Sequence, residues 1–330
     1  MPRRILPSIA SLGTLLMWFV TPSVLAVTIP LYSNGSSNPA NSGLATGTLT
    51  ASLLSAPPAS QWSELQREAS AANAMAGVSM HAGATPGTYR LSDDFVVSGF
   101  AYGWSVSSIS VFGYTSDNAS FTGLHLRIWS AMPQSPGSTV IWDSAGSGGV
   151  FASSITRVYR VFSSVGDQAT PPDTTRIIWR LSLTTPGLRL SPGAYWLDWQ
   201  ASTSAAAASA LSPTVVSLGA RSRAGANAVQ FKPVSGVGQW APVLDPGKPA
   251  AAADVPQDLP FLFEGSAAPP PCVGDADGSG TVNFADVSAV LTNWGANYLP
   301  GTGVGDADGD GRVLFTDVTA ALLGWGASCH

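Results

Sequence analysis

From Gly123 to Ser130 the side chains alternate in kind, with Leu124, Leu126 and Ile128 on one parity and His125, Arg127 and Trp129 on the other. The same period recurs in Thr175–Thr184, where Ile177, Trp179, Leu181 and Leu183 alternate with Arg176, Ile178, Arg180 and Ser182. It recurs again in Gly193–Ser202, where Tyr195, Leu197 and Trp199 alternate with Trp196, Asp198 and Gln200. A period of two sends successive side chains to opposite faces of a strand, one toward a core and one toward solvent. Further strands are expected at Phe95–Ser98, Val106–Tyr114, Thr139–Asp143, Arg157–Ser163, Ala228–Phe231 and Leu259–Glu264. Turn sequences separate many of them: Ser135-Pro136-Gly137, Ser144–Gly149, Thr185-Pro186-Gly187 and Ser191-Pro192-Gly193. Many short strands with punctuating turns predict a mainly β fold, an antiparallel β-sandwich of jelly-roll-like form, over residues 92–266.

The period changes at the C-terminus. Val287, Val290, Leu291 and Trp294 fall at i, i+3, i+4 and i+7, and Val318, Ala321, Leu322 and Trp325 repeat the spacing. Two such apolar stripes predict two short helices packed face to face, with Gly295 and Gly326 as stop signals. Residues 27–91 show no steady period and read as an irregular lead-in. Within them Ser63-Glu64-Leu65-Gln66 has the form of a capping box and predicts a short Ala-rich helix fading near Gly77. Residues 267–271 read as a linker ending in three prolines, a stiff extended spacer.

Each C-terminal helix is preceded by an Asp/Gly-rich loop, and the second loop starts 31 positions after the first, at Asp306 against Asp275. A twelve-residue calcium loop offers oxygen at positions 1, 3, 5, 7, 9 and 12 and turns sharply at a glycine in position 6. In the first copy the ligand positions hold Asp275, Asp277, Ser279, Thr281, Asn283 and Asp286, with Gly280 at the turn. In the second they hold Asp306, Asp308, Asp310, Arg312, Leu314 and Asp317, with Gly311 at the turn. Position 7 acts through its backbone carbonyl, so Thr281 and Arg312 both serve, whereas Leu314 offers no side-chain oxygen. Carboxylates and carbonyls are hard ligands that suit Ca2+ over softer metals, so two Ca2+ sites are expected.

The segment entering the first loop, Pro269-Pro270-Pro271-Cys272-Val273, cannot form a helix interior, so the unit is a loop with its exiting helix only. A duplicated loop with only its exiting helix resembles the type I dockerin module, over residues 272–330, and Asp at position 12 is similar to the family's pattern. That resemblance implies attachment to a cohesin-like or other scaffold or surface protein through loop positions 10 and 11 and the helix beyond. Here those positions are Phe284-Ala285 and Phe315-Thr316, and neither helix carries Lys or Arg. The stretches FTGLHLRIWS, RVYRVFSS, LSPGAYWLDWQ and LPFLFEGS resemble a family of uncharacterised secreted bacterial sandwich domains, which implies a fold and no activity.

Charge sharpens this division. Of the 20 acidic residues of the 330-residue chain, seven lie after Cys272 against the single base Arg312. The acidity is therefore that of the calcium ligands, and no cluster of Lys and Arg marks a nucleic-acid surface. Arg3 and Arg4, an apolar run from Ile5 to Val20 and the small residues ending at Ala26 predict a secretory signal peptide over 1–26, hence a secreted or cell-surface protein with no membrane span in the mature chain. Export makes a disulfide between Cys272 and Cys329, the only cysteines, expected. It would bracket the repeat pair and close a loop of about 58 residues, worth roughly 4 kcal/mol in the chain-entropy model.

The sandwich region holds the carboxylates Asp93, Asp94, Asp143, Asp198 and Glu264, which read as structural or surface acids, and His125 reads as a solvated histidine. No phosphate loop or nucleophile elbow is present. Trp129, Trp179, Trp196 and Trp199 could stack on sugars or serve the core. The expected function is a non-catalytic secreted protein that presents a sandwich, with carbohydrate as its possible ligand, through a calcium-binding tail. The alternatives are a dockerin-tagged glycoside hydrolase of polysaccharide catabolism and a structural matrix protein.

Overall fold

The computed structural model of the chain describes residues 28–35, 43–83, 88–100, 103–115, 119–164, 172, 174–205, 209–234, 237–268, 272–298 and 303–329. The expected signal peptide and the three prolines lie outside them. In chain order the elements are β1 (Ile29–Ser33), β2 (Gln61–Leu65), β3 (Val78–Ser79), β4 (Arg90–Val97), β5 (Trp104–Thr115), β6 (Phe121–Trp129), β7 (Val140–Asp143), β8 (Phe151–Ser164) and β9 (Ile177–Thr184). They continue with β10 (Arg189–Leu190), β11 (Gly193–Thr203), β12 (Ala210–Ser212), β13 (Val229–Val234), β14 (Val237–Pro242), β15 (Leu244–Asp245), β16 (Val255–Pro256), β17 (Phe261–Ala267), α1 (Phe284–Thr292) and α2 (Phe315–Leu323).

The strands form a sandwich. One sheet runs β1-β17-β5-β9-β8-β2, with β10 and β12 also on β5 and β3 on β12; the other runs β14-β13-β4-β11-β6-β7. The ladders between these strands are antiparallel except β2–β8, which is parallel. The inner faces meet as the alternation predicts. Leu126 and Ile128 of β6 and Leu197 and Trp199 of β11 share one buried cluster with Ile109, Leu181, Phe261 and Phe263 of the facing sheet. Aromatic rings fill its middle, with Phe95 and Phe263 centroids 4.5 Å apart and Phe95 stacked on Trp104. Truncating a ring such as Phe263 there would cost about 3–5 kcal/mol.

The nine-stranded sheet is buried on its other face too. Phe112, Tyr114, Ile178, Val158 and Leu262 cluster there with Leu44. Ile178 was expected on a solvent face by its parity; the N-terminal segment covers it. That segment is not an irregular lead-in: β1 pairs with β17, β2 with β8 and β3 with β12. The expected helix at Ser63–Gln66 is strand β2 instead. Tertiary bonds override the local capping signal: the Ser63 hydroxyl accepts from Arg160 Nη1 at 2.8 Å and Glu64 Oε2 accepts from the Ala51 amide at 2.9 Å. Arg160, brought down to about 10 by burial, also donates to the Ala76 carbonyl and the Thr214 hydroxyl, clamping the segment to the sheet. At the far end Ala267 still belongs to β17, and the Ala268 amide donates to the Gly103 carbonyl, so the sandwich reaches two residues into the expected linker.

Beyond it, α1 and α2 form a small helical module closed by a Cys272–Cys329 disulfide, Cα to Cα 5.7 Å. Among the described residues no helix is long and apolar enough to cross a membrane.

Candidate metal centre

The two Asp/Gly loops are built alike because their sequences are alike. At position 6 the chain reverses with φ +84° at Gly280 and +89° at Gly311, a region that side chains rarely adopt. Each of these glycines donates its amide to the first aspartate of its loop, Gly280 to Asp275 Oδ2 at 3.0 Å and Gly311 to Asp306 Oδ2 at 3.1 Å. The position-12 aspartates are fully buried and fix the helix starts. Asp286 accepts from the Asp277 and Asn283 amides, and Asp317 accepts from the Ala307, Asp308 and Leu314 amides. Asn283 adds a side-chain cap, accepting from the Ala285 amide at 2.8 Å; Leu314 has none to give, and Asp317 alone reaches back over α2.

This folding gathers the carboxylates. Oxygens of Asp275, Asp277 and Asp286 lie within 4.8 Å of one another, and so do those of Asp306, Asp308 and Asp310. Hydrogen bonds from Ser279 hold Asp277 below the ordinary carboxylate range. The Ser279 hydroxyl and the Asn283 amide group converge on the Thr281 carbonyl at 3.3 and 2.9 Å, so the oxygen expected from position 7 sits beside that from position 5. Asn283 turns its own oxygen to the helix instead. Arg312 is exposed and its amide donates to Asp310. Cys272 and Cys329 also lie near Asp275, but their sulfurs are joined to each other.

The donor set fits a hard cation. Like charges at this spacing repel unless a positive charge lies between them. Oδ1 of Asp275 is buried and has no hydrogen-bond partner among the described residues, a cost that a coordinated ion removes. The acidic clusters can therefore hold a metal ion.

The loops also hold each other. Gly274 donates to the Ala307 carbonyl at 2.9 Å, and Gly305 donates to the Ala276 carbonyl at 2.8 Å. Val282 of the first loop exchanges backbone bonds with Gly326 and Ala327 behind α2, and Val313 of the second does so with Gly295 and Ala296 behind α1. Each bond has a counterpart 31 positions away, so the module is an internal dimer with near two-fold symmetry. Its core is small: Ala276, Ala289, Val290, Ala307, Val313 and Ala320 cluster, and Val282 is buried as well. The predicted stripes pack only in part. Val290 and Ala321 are buried, but Leu291, Trp294, Leu322 and Trp325 are more than half exposed, because short alanines bring the helices together and leave the longer side chains outside. Phe284, Phe315 and Leu323 are exposed as well, at 69%, 72% and 84%.

The sandwich places its own candidates differently from expectation. Asp198 is not a surface acid. It is fully buried on the outer face of the six-stranded sheet, where Arg90 Nε donates to Oδ1 at 2.6 Å and Trp129 Nε1 to Oδ2 at 3.0 Å. Burial pushes its carboxyl up, and Arg90 opposes this. His125 is not a freely solvated side chain either. Arg90 Nη1 can only donate, so His125 Nδ1 accepts from it at 3.1 Å and Nε2 carries the proton toward Asp143 Oδ1 at 2.7 Å. Arg127 Nε donates to Asp143 Oδ2 at 2.8 Å, and Gln200 accepts from Arg90 at 2.7 Å. Asp93 is buried, accepting from Asn34 and the Leu259 amide; Glu264 pairs with Arg180. Trp199 lies wholly in the core and Trp179 partly so, which leaves Trp129 and Trp196 at the surface. Alternation marked 125, 127, 196, 198 and 200 as outward positions, but it carried no sign that strands so far apart in sequence would join them.

No family model, curated protein or solved structure matches the chain.

Proposed function

We propose that the C-terminal module binds two Ca2+ ions, one in each loop, and in that state attaches a secreted, non-catalytic carbohydrate-binding sandwich to a protein partner. The observation that carries this reading is the pair of carboxylate clusters, in which Asp275 and Asp277 recur as Asp306 and Asp308 at a 31-residue interval, with Asp275 Oδ1 buried and without a hydrogen-bond partner among the described residues. Asp275, Asp277, Asp286 and the oxygens of Ser279 and Thr281 would hold the first ion; Asp306, Asp308 and Asp310, with Asp317 and the Arg312 carbonyl, would hold the second. The resemblance to the dockerin module supports the attachment role. So do the exposed Phe284, Leu291, Phe315 and Leu323, since exposed apolar surface of this kind marks an interaction site. Asp198, wholly buried beneath Arg90 and Trp129, is withdrawn from any substrate, which supports a non-catalytic sandwich.

Calorimetric titration of the calcium-stripped full chain with CaCl2 tests the metal reading. Two sites are expected, with Asp275→Ala and Asp306→Ala each removing one, and with helix content rising on binding. Equal folding of the module in EDTA and in calcium, or no binding heat, overturns it.

A further inference from the structure

We propose that the outer face of the six-stranded sheet binds neutral hexose chains, with Trp129 and Trp196 as its stacking platform and the Arg90, Gln200, His125 and Arg127 side chains as its hydrogen-bonding set. The proposal rests on the carbohydrate reading of the sandwich and gives that reading a place and a ligand class.

The register builds this face as three rungs. Trp240, Phe231 and Arg90 lie side by side across β14, β13 and β4, and the row continues through Gln200 and His125 on β11 and β6. Ser92, Asp198, Arg127 and Asp143 form the second row, and Asp94, Trp196, Trp129 and Val140 the third. Aromatic pairs thus flank a polar strip. Unlike the outer face of the other sheet, which the N-terminal segment roofs, this one keeps Trp129, Trp196, Gln200, His125 and Arg127 half-exposed.

The side chains are held in position before any ligand arrives. Trp129 is pinned by its N–H to Asp198, so what remains for a ligand is its half-buried ring. Phe231 lies over Gly238, where a Cβ would meet the ring at 1.7 Å, and packs against Trp240 with centroids 5.6 Å apart. Indole faces suit the C–H surfaces of pyranose rings. Between them the polar groups remain incompletely matched. Arg90 is nine-tenths buried, and its Nη2, itself shielded from solvent, is without a hydrogen-bond partner among the described residues. Arg127 reaches Asp143 through Nε, leaving its terminal amino groups at the half-exposed face. Planar donors beside planar aromatic rings match the vicinal hydroxyls of a sugar, which accept and donate at once.

Charge selects the class. Arg90 is neutralised by Asp198 and Arg127 by Asp143, and Asp94 adds a further negative charge beside Trp196. With those two pairs balanced, a polyuronate would bring its carboxylates against the charge of Asp94, whereas an uncharged chain meets no such repulsion.

The test is fluorescence and calorimetric titration of the full chain, in EDTA, with cellohexaose, mannohexaose and an oligogalacturonate of equal length. EDTA separates the outcome from the calcium reading. At least one neutral hexasaccharide is expected to bind, with Trp196→Ala weakening it about tenfold or more and Trp196→Phe restoring most of the loss. Unchanged unfolding midpoints of both variants exclude a collapsed sheet as the cause; should Trp196→Ala be unfolded, Arg127→Gln provides the same reading. Neutral binding that survives Trp196→Ala and Arg127→Gln overturns the assigned face. Binding of the oligogalacturonate alone overturns the neutral class while leaving a carbohydrate role, and binding of none of the three overturns both.

Discussion

Trp129 and Asp198 sit on neighbouring strands, 69 residues apart in sequence, and the indole N–H of the first reaches the carboxylate of the second at 3.0 Å. Arg90 closes on the other oxygen, with side-chain exposures of 8% for Arg90 and 0% for Asp198. Removing one partner of a buried pair leaves the other charge stranded, at a cost of about 3–5 kcal/mol. Asp198→Asn is therefore expected to lower the stability of the sandwich by that amount in urea unfolding. A loss below about 1 kcal/mol, the scale of an exposed pair, would mean that Arg90 is hydrated.

The adjoining carboxylate sets an acid limit. Burial pushes Asp143 up, but the Ala145 amide, His125 and Arg127 outweigh it and bring the group down to about 2. An aspartate whose pKa is depressed in the folded state contributes stability that is present above its unfolded value of about 4 and is lost as pH falls from there toward about 2. Urea midpoints of the wild type should fall more steeply across that window than those of Asp143→Asn. Parallel curves would show that Asp143 does not feel its neighbours.

The disulfide joins residues 57 positions apart. Replacing both cysteines by serine is expected to destabilise the helical module by about 4 kcal/mol, since the freed loop regains its chain entropy. Denaturant unfolding monitored at Trp294 and Trp325 in calcium would read this. With a core made of alanines and valines, the module has little else to offset the loss.

The crossed bonds between the loops predict a crossed response. Val282 of the first loop holds Gly326 and Ala327 behind the second helix. The Cys329 amide donates to Gly280 of that loop, so disrupting it by Asp275→Ala should accelerate amide exchange at Gly326 and Cys329 more than at Gly295, and Asp306→Ala should do the reverse. Equal effects of both variants at all three amides would show that the loops open as one body.

The parts of the fold that sequence made legible are those where local pattern and tertiary environment agree. Leu126 and Ile128, or Leu197 and Trp199, alternate because one face of their strands meets one core. Ile178 broke the rule because its sheet is covered twice, and no local pattern reveals a roof contributed by residues more than a hundred positions upstream. Ser63–Gln66 carried a helix signal that a parallel strand partner and Arg160 overrode. In the module the loop turns were readable, since Asp/Gly spacing is local chemistry and Gly280 and Gly311 take the positive φ it implies. Which helical residues would pack was not, because the approach set by Ala289 and Ala320 decides that Leu291 and Leu322 stay outside. The network around Arg90 was invisible for the same reason: each member is ordinary alone, and only strand register makes them neighbours.

The first strand, Ile29–Ser33, is zipped to the last, Phe261–Ala267, with Ile29 opposite Gly265. Phe261–Ala267 in turn lies between that first strand and the long Trp104–Thr115. As the ribosome delivers the chain from its N-terminus, the opening strand has no partner until more than two hundred further residues have been made. Pairings of such long range close slowly, since the loop entropy is lost before the contacts form. The nascent sandwich therefore stays open-edged throughout almost its whole synthesis and completes its fold only after its last strand is free.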